Sequence, residues 1–183
     1  MILGLTGKAG SGKNAVAEIL REKFNYRELA FADNLKEAAA LIFQVDLKNF
    51  YDRGLKEIVI PRWKLSPREM AQKLGTEACR TTFGDDVWIN SLLPKLDNYG
   101  YENNVVITDV RFENEANMVR VHGGVIVHVH TNRESRLNTL TFSHISEAGV
   151  KATDKDFHIL NYRSLEELPE TVEIVLQKIE GTR

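Results

Sequence analysis

The chain has 183 residues, enough for one domain, and its 43% hydrophobic content is sufficient for a substantial core. Its 24 basic and 26 acidic residues nearly cancel, so no overall positive field would attract nucleic acid. One cysteine excludes an intrachain disulfide, and no apolar run reaches the roughly 20 residues that cross a bilayer, so we expect a cytoplasmic protein without a membrane partner.

The hydrophobic pattern alternates between strands and helices along the chain. Strands are predicted over residues 2–6, 26–32, 104–110, 125–131 and 157–160. Helices are predicted over about 16–24, 35–43, 86–96 and 112–122, and two more open at capping boxes. This alternation implies right-handed crossovers and a parallel sheet, which binds ligands beyond the carboxyl ends of its strands.

Two of the predicted helices begin at a capping box that can be recognised in the sequence. Ser66 is followed by Pro67 and, in the third helical position, by Glu69, which predicts a capping box. Ser164 and Glu167 predict the same arrangement before the final helix. Between the elements, residues 44–65 are predicted to be irregular and basic, and the polar residues 132–155 predict a lid that closes over substrate.

A glycine-rich loop joins the first strand to the first helix. Residues 7–14 (GKAGSGKN) match the phosphate-binding pattern G-x-x-x-x-G-K-[ST] except at the last position. Such a loop turns successive N–H groups into one concavity, the helix N-terminus adds partial positive charge, and Lys13 adds a full charge. The residues predicted to hold a nucleoside triphosphate are Lys8, Ala9, Gly10, Ser11, Gly12, Lys13, Asn14 and Ala15.

Three oxygen-bearing side chains are candidates for ordering Mg²⁺ or for handling a proton. Asn14 stands where a hydroxyl normally meets the metal, and its carbonyl oxygen is an acceptable ligand, directly or through water. Asp33 and Asp109 follow the second and third predicted strands, so either could order the metal and its waters. Asp33 has two further interpretations, orientation of the acceptor substrate and a simple helix cap.

Cationic and aromatic residues are the candidates for the second substrate, because phosphoryl transfer needs positive charge around both substrates. An α-helix would place Arg68 and Arg80 about 120° apart, although both could still flank one pocket. Trp63 and Trp88 could stack on a base, with core packing as the simpler interpretation for each. The candidate arginines are Arg68, Arg80, Arg111, Arg133 and Arg136.

Together these segments resemble the deoxynucleoside monophosphate kinases found mostly in bacteriophages. The matching segments are residues 7–17 (GKAGSGKNAVA), 31–37 (FADNLKE), 67–80 (PREMAQKLGTEACR) with Trp88, 108–115 (TDVRFENE) and 144–147 (HISE). Members of that family often carry Asp at the position of Asn14. The resemblance implies a three-layer α/β P-loop fold with about five parallel strands in the order 2-3-1-4-5. It also implies a single domain over 1–183, with the acceptor region at about 34–100 and the lid at about 132–155.

The resemblance also implies a reaction. ATP with Mg²⁺ would phosphorylate a 2′-deoxynucleoside 5′-monophosphate to give ADP and the diphosphate, a step of deoxynucleotide biosynthesis in the cytoplasm of a host cell. By resemblance, Lys13 binds the ATP phosphates and Asn161 lies at the adenine. Asp33 and Lys36 lie near the acceptor phosphate, and the residues around the acceptor nucleoside are Arg68, Gln72, Arg80 and Trp88. Arg111 contacts the acceptor or transferring phosphate, and Arg133 and Arg136 belong to the lid. His144, Ser146 and Glu147 form part of the signature without a derived role.

Two other functions remain open on the sequence alone. A kinase of the dephospho-coenzyme A type shares the loop, the lid and an acid after the second strand, but its acceptor is a hydroxyl and needs fewer arginines. A non-catalytic nucleotide-binding switch would account for Asn14 as lost metal chemistry. Among partners, small-molecule nucleotides are expected, nucleic acid is not, and a homodimer is the assembly left open.

Overall fold

The computed structural model describes residues 1–99, 103–131, 149–162 and 166–182. The chain divides into two compact units. The first, here called the sheet unit, comprises Met1–Ala30 and Leu96–Arg183, and the second, the helical unit, comprises Phe31–Lys95. The helical unit begins and ends within a few residues of the predicted acceptor region.

The sheet has five parallel strands, as predicted. They are β1 (Ile2–Thr6), β2 (Arg27–Leu29), β3 (Val105–Ile107), β4 (Val125–His130) and β5 (Phe157–Leu160). The order across the sheet is β2-β3-β1-β4-β5, and every neighbouring pair is parallel. This order places β1, whose end opens the glycine-rich loop, in the centre of the sheet.

The helices occupy the segments between the strands. They are α1 (Lys13–Phe24), α2 (Ala32–Phe43), α3 (Lys48–Tyr51), α4 (Pro67–Gln72), α5 (Thr81–Phe83), α6 (Val87–Tyr99), α7 (Glu113–Val121) and α8 (Leu168–Gly181). A 3₁₀ turn spans Leu55–Glu57, and a π-helix over Lys73–Arg80 joins α4 to α5 without a break.

Within the sheet unit, helices cover both faces of the sheet and produce the predicted three-layer α/β architecture. On one face α1 and α8 pack against Leu5, Val127 and Ile159 in the main core. On the other face α7 packs against β1 and β4. A Cβ at Gly4 would lie 2.8 Å from the Ile126 side chain of β4 and 3.2 Å from the Val119 side chain of α7, so the absence of a side chain at Gly4 permits this close packing around β1.

A buried carboxylate joins three elements of the sheet unit. The Asp156 carboxylate, 1% exposed, accepts hydrogen bonds from Arg120 of α7 at 2.9 and 3.1 Å, from His128 of β4 at 3.2 Å and from the Thr153 backbone at 2.9 Å. Burial alone raises the pKa of Asp156, but these hydrogen bonds outweigh burial and hold it below its ordinary value.

The helical unit has its own small core around Ala39, Phe50 and Met70. The capping box at the start of α4 is confirmed: the Ser66 hydroxyl accepts from the Glu69 N–H, and the Glu69 carboxylate accepts from the Ser66 N–H at 2.8 Å. Trp63 packs edge-on against Phe43 and donates its indole N–H to that residue's carbonyl, which confirms core packing for this tryptophan.

Several predicted boundaries differ from the structure. The second strand is shorter than 26–32, because α2 already begins at Ala32, and Asp33 lies in the first turn of that helix with Phe31 as N-cap. The prediction that Asp33 caps the helix is therefore wrong. The final helix begins at Leu168 with Glu167 itself as N-cap, while Ser164 lies outside the described residues. Residues 44–65, predicted to be irregular, include α3 and the 3₁₀ turn, which are too short to show a hydrophobic period.

Candidate active site

The glycine-rich loop has the backbone conformation of a phosphate cradle. Gly7, Gly10 and Gly12 all have positive φ, and the Ser11 N–H donates to the Lys8 carbonyl at 3.1 Å, which closes the turn. Helix α1 then begins at Lys13, so its N-terminal N–H groups point to the same concavity. An anion with several oxygens is the ligand that such a loop favours.

Gly12 is required by its contact with Asn161 as well as by its conformation. Its φ is 103°, and a Cβ here would collide with the side-chain amide of Asn161. That amide donates to the Ser11 carbonyl at 3.1 Å, and the Asn161 backbone N–H donates to the His130 carbonyl at 2.8 Å. Asn161, predicted at the adenine, thus holds the loop in place directly after β5.

Lys13 extends back over the loop. Its ammonium donates to the Gly7 carbonyl at 2.6 Å and to the Lys8 carbonyl at 3.0 Å, so the charge lies within the turn. Ser11 is buried, and its hydroxyl oxygen has no hydrogen-bond partner among the described residues. A buried polar atom beside a cation in a cradle of N–H groups fits a phosphate oxygen.

Asp109 lies at the carboxyl edge of the sheet, between the ends of β1 and β2. The flanking residues fix it there: the Thr108 N–H donates to the Leu29 carbonyl at 3.0 Å, and the Val110 N–H donates to the Leu5 carbonyl at 3.1 Å. Because β1 leads directly into the glycine-rich loop, the carboxylate of Asp109 is on the loop's side of the sheet. This is the position predicted for an acid that orders Mg²⁺.

The segment after β3 also carries Arg111, which is exposed. Its backbone N–H and that of Phe112 donate to the buried carboxylate of Glu115, at 2.8 and 3.1 Å. Sequence reasoning missed this role of Glu115, although a carboxylate three residues into a helix is the usual signal for it. Glu113, the first residue of α7, accepts the Lys151 backbone N–H at 2.6 Å, which ties the C-terminal end of the predicted lid segment to this helix.

No compact metal site exists in the described part of the chain, where no three His, Cys, Asp or Glu side chains are grouped to bind an ion. Asn14 is exposed at the start of α1 and Asp109 is half-buried. Two oxygen ligands of this kind fit Mg²⁺, which usually keeps several waters and takes other oxygens from substrate phosphates.

In the helical unit, Asp33 and Lys36 lie together on the first turns of α2. Their charged groups are 3.9 Å apart. Tyr51 of α3 contacts both residues: its hydroxyl donates to Asp33 at 2.8 Å, and the centre of its ring lies 4.1 Å from the Lys36 ammonium. Tyr51 was not predicted, since nothing in the sequence links position 51 to position 33.

Arg68 of α4 is oriented by Glu57. Its Nε and Nη2 atoms donate to one Glu57 oxygen, at 2.7 and 2.6 Å. Glu57 belongs to the 3₁₀ turn, in the segment that the sequence described only as basic and irregular. The ion pair holds the guanidinium in one orientation and leaves its other N–H groups directed away from Glu57.

The π-helix changes the relation between Arg68 and Arg80. Extrapolation from the 3₁₀- and α-helix gives a π-helix about 4.3 residues per turn, so each residue advances less than 100°. The angle of about 120° calculated for an uninterrupted α-helix therefore does not apply to the segment from Arg68 to Arg80, which includes the π-helix over Lys73–Arg80. Arg80 is buried and donates to the Asp85 carbonyl at 2.6 Å.

Gln72 and Gly75, the hydrogen-bond partner of Trp88, lie three residues apart near the start of the π-helix. Gln72 is the last residue of α4 and is half-buried. The indole N–H of Trp88, in α6, donates to the Gly75 carbonyl inside the π-helix at 3.0 Å. Of the remaining predicted residues, Arg133, Arg136, His144, Ser146 and Glu147 lie outside the described residues.

A sequence profile described as deoxynucleotide monophosphate kinase matches residues 51–172, which is 122 of the 183 residues. The chain belongs to this family. The matched range contains Arg68, Arg80, Trp88, Asp109 and Arg111, so the family assignment does not rest on the glycine-rich loop.

Three relatives of this chain come from viruses. A protein of Acanthamoeba polyphaga mimivirus, provisionally assigned to the same activity, is 27% identical over 91% of both chains. The deoxynucleotide monophosphate kinase of Enterobacteria phage T4 is 34% identical over 56% of this chain, and the match spans 42% of the phage enzyme. Among solved structures, a dephospho-CoA kinase from Campylobacter jejuni superposes with a TM-score of 0.53 over all of this chain and 98% of its own, at 15% identity.

These likenesses establish an enzyme of the kinase class on a P-loop fold. The dephospho-CoA kinase shares the fold alone at this level of identity and gives no support to its own acceptor here. Of the helices in the described ranges, none is long and apolar enough to cross a membrane.

Proposed function

We propose that this deoxynucleotide monophosphate kinase transfers the γ-phosphoryl group of ATP to the 5′-phosphate of a deoxynucleoside monophosphate in the cytoplasm. The bond from the β–γ bridging oxygen to Pγ breaks, an acceptor phosphate oxygen bonds to Pγ, and ADP and the nucleoside diphosphate leave. The observation that carries the proposal is the phosphate cradle around Lys13 in a chain whose residues 51–172 match the deoxynucleotide monophosphate kinase family.

In the sheet unit, the loop residues 8–15 hold the ATP phosphates through backbone N–H groups, and Lys13 neutralises charge that develops on the transferred group. Asn14 and Asp109 are the residues that would hold Mg²⁺. When bound, the ion screens the phosphate charge and orients the β- and γ-phosphates. Arg111 adds a cation at the same edge of the sheet.

In the helical unit, Lys36 and its ion-pair partner Asp33 lie at the acceptor phosphate. Arg68, oriented by Glu57, binds the acceptor nucleoside. Gln72, Arg80 and Trp88 surround the acceptor nucleoside, and Arg133 and Arg136 act from the lid. No side chain needs to remove a proton, because the acceptor oxygen is already ionised at neutral pH. Catalysis then consists of positioning and charge neutralisation, as in other phosphoryl transfers.

The deciding experiment is ADP release from MgATP against all ribo- and deoxyribonucleoside monophosphates, with dephospho-coenzyme A in the same panel. Turnover with one or more deoxynucleotides is expected and also gives the base preference. Turnover with dephospho-coenzyme A alone would replace the proposed acceptor by a hydroxyl. Tight ATP binding without turnover on any acceptor would favour a nucleotide-dependent switch. Sedimentation of the same sample tests whether the chain forms a homodimer.

A further inference from the structure

Tyr51, the last residue of α3, contacts two charged side chains near the start of α2. Its hydroxyl donates to Oδ1 of Asp33 at 2.8 Å, and the Lys36 ammonium lies 4.1 Å from the centre of its ring. Asp33 and Tyr51 are 18 positions apart in the sequence. The contact therefore depends on the fold of the helical unit, which brings an aromatic side chain to this ion pair.

The tyrosine hydroxyl and the lysine ammonium face the same carboxylate oxygen. Nζ of Lys36 lies 3.9 Å from Oδ1 of Asp33, which is close enough for electrostatic attraction but too long for a hydrogen bond. The hydroxyl of Tyr51 makes the hydrogen bond to that oxygen. The ring of Tyr51 attracts the ammonium from a second direction, because the face of an aromatic ring is electronegative.

This arrangement holds the Lys36 ammonium without using its hydrogen-bond donors. The Lys36 side chain is 24% exposed, and among the described residues it donates no hydrogen bond. An ammonium carries three N–H donors, and a largely buried donor is costly until an acceptor reaches it. A phosphate offers several acceptor oxygens together with negative charge, so it is well suited to such a group.

We infer that Tyr51 is a positioning residue for the acceptor phosphate, which it serves by directing the N–H donors of Lys36 to the phosphate oxygens. The inference rests on the proposed function, which places Lys36 and Asp33 at that phosphate. Without the hydroxyl, Oδ1 of Asp33 would draw Lys36 into a direct hydrogen bond and divert a donor from the substrate. Without the ring, the ammonium would lose one of the two attractions that fix its position.

The test compares the wild type with Tyr51→Phe, which loses the hydroxyl, and with Tyr51→Leu, which loses the hydroxyl and the ring. Calorimetry measures the dissociation constant of the deoxynucleoside monophosphate that the acceptor panel identifies, and initial rates give the KM for MgATP. The dissociation constant should rise about threefold in Tyr51→Phe and about tenfold in Tyr51→Leu, as one and then both contacts are lost. The KM for MgATP should stay within about twofold.

Tyr99→Leu is the matched control. The centre of the Tyr99 ring lies 4.0 Å from the Arg27 guanidinium, in the same kind of contact, but this pair belongs to the sheet unit and Arg27 is the first residue of β2. Both constants should stay within about twofold in this variant. A double-mutant cycle then shows whether Tyr51 acts through Lys36. In a Lys36→Met background, Tyr51→Leu should change the monophosphate dissociation constant by less than about twofold.

An unchanged monophosphate dissociation constant in both Tyr51 variants would overturn the inference. An effect of full size in the Lys36→Met background, with a lowered melting temperature, would show a merely structural tyrosine and would overturn it too. If Tyr51→Leu does not fold, Tyr51→Phe decides the matter, because it removes one oxygen atom from a side chain that is 49% exposed. A wild type that turns over no monophosphate would refute the proposed function and the inference with it, whereas an active wild type with unaffected variants refutes the role of Tyr51 alone.

Discussion

The side-chain amide of Asn161 donates a hydrogen bond to the carbonyl of Ser11, 150 positions earlier in the chain, and so joins the end of β5 to the phosphate loop. Asn161 is itself held by the carbonyl of His130 at the end of β4. The shape of the loop is thus set by the carboxyl ends of two neighbouring strands, and Gly12 is the loop residue that makes room for this contact.

Gly12→Ala is expected to lower ATP affinity at least about tenfold and to destabilise the fold by about 1–3 kcal/mol, because it adds a collision with Asn161 to backbone strain. Gly84→Ala is the matched control, since Gly84 also has positive φ but open space where a Cβ would lie. Calorimetry with ATP and thermal melting give both quantities. Equal effects of the two substitutions on ATP binding would contradict the contact argument.

Lys13→Ala is expected to reduce turnover by at least about 100-fold while the fold remains intact. The substitution removes the charge proposed to act on the phosphates, together with two hydrogen bonds to loop carbonyls. Initial rates and circular dichroism are the measurements, with Lys23→Ala at the far end of α1 as control. A mutant with near-normal turnover would refute the assignment of the loop.

Asn14→Asp and Asn14→Thr are expected to preserve or raise Mg²⁺-dependent activity. Asp supplies a charged carboxylate oxygen in place of the neutral amide oxygen of Asn14, and Thr supplies the hydroxyl that normally meets the metal at this position. For Asn14→Asp the half-saturating Mg²⁺ concentration should fall, because a carboxylate binds the ion more tightly. Rates measured across a magnesium titration decide the point. Loss of activity in both folded variants would mean that Asn14 has another role.

Asp156→Asn is expected to destabilise the protein by about 3 kcal/mol at pH 7, because it leaves Arg120 without its buried partner. The lowered pKa of Asp156 also determines the direction in which the free energy of unfolding changes with pH. Its stabilisation is complete above the unfolded pKa near 3.9 and is lost as the pH falls through the folded value.

Urea unfolding of the wild type and of Asp156→Asn between pH 7 and pH 3 measures this effect, and the mutant should lose less stability over the acid range. Asp154→Asn, an exposed neighbour in the same turn, should change the unfolding free energy by less than about 1 kcal/mol. Parallel acid curves for the wild type and Asp156→Asn would refute the role given to this carboxylate.

The sheet could be predicted from sequence because its signals are local. Short apolar runs predicted all five strands, and β5 begins and ends where predicted. Boundaries failed where two signals compete. At Phe31 and Ala32 the apolar run continued, but helix formation starting at Ala32 ended the strand early.

Site residues were predictable only where a motif carries them. Lys13 follows from the loop pattern, and the family resemblance supplied Lys36 and Gln72. Glu57 was missed because its partner, Arg68, lies eleven positions further along the chain, and no periodicity connects such positions. The π-helix was missed for a similar reason, since the sequence of residues 73–80 differs little from that of an α-helix.

The hydrogen bond from Trp88 to the π-helix has a practical consequence for spectroscopy. Trp63 and Trp88 are the two tryptophans of the chain, and both belong to the helical unit. Intrinsic indole emission therefore originates from that unit alone, where the Trp88 indole N–H donates a hydrogen bond to the Gly75 carbonyl. A titration with monophosphate, whose proposed binding residues lie in the same unit, should therefore change the indole emission.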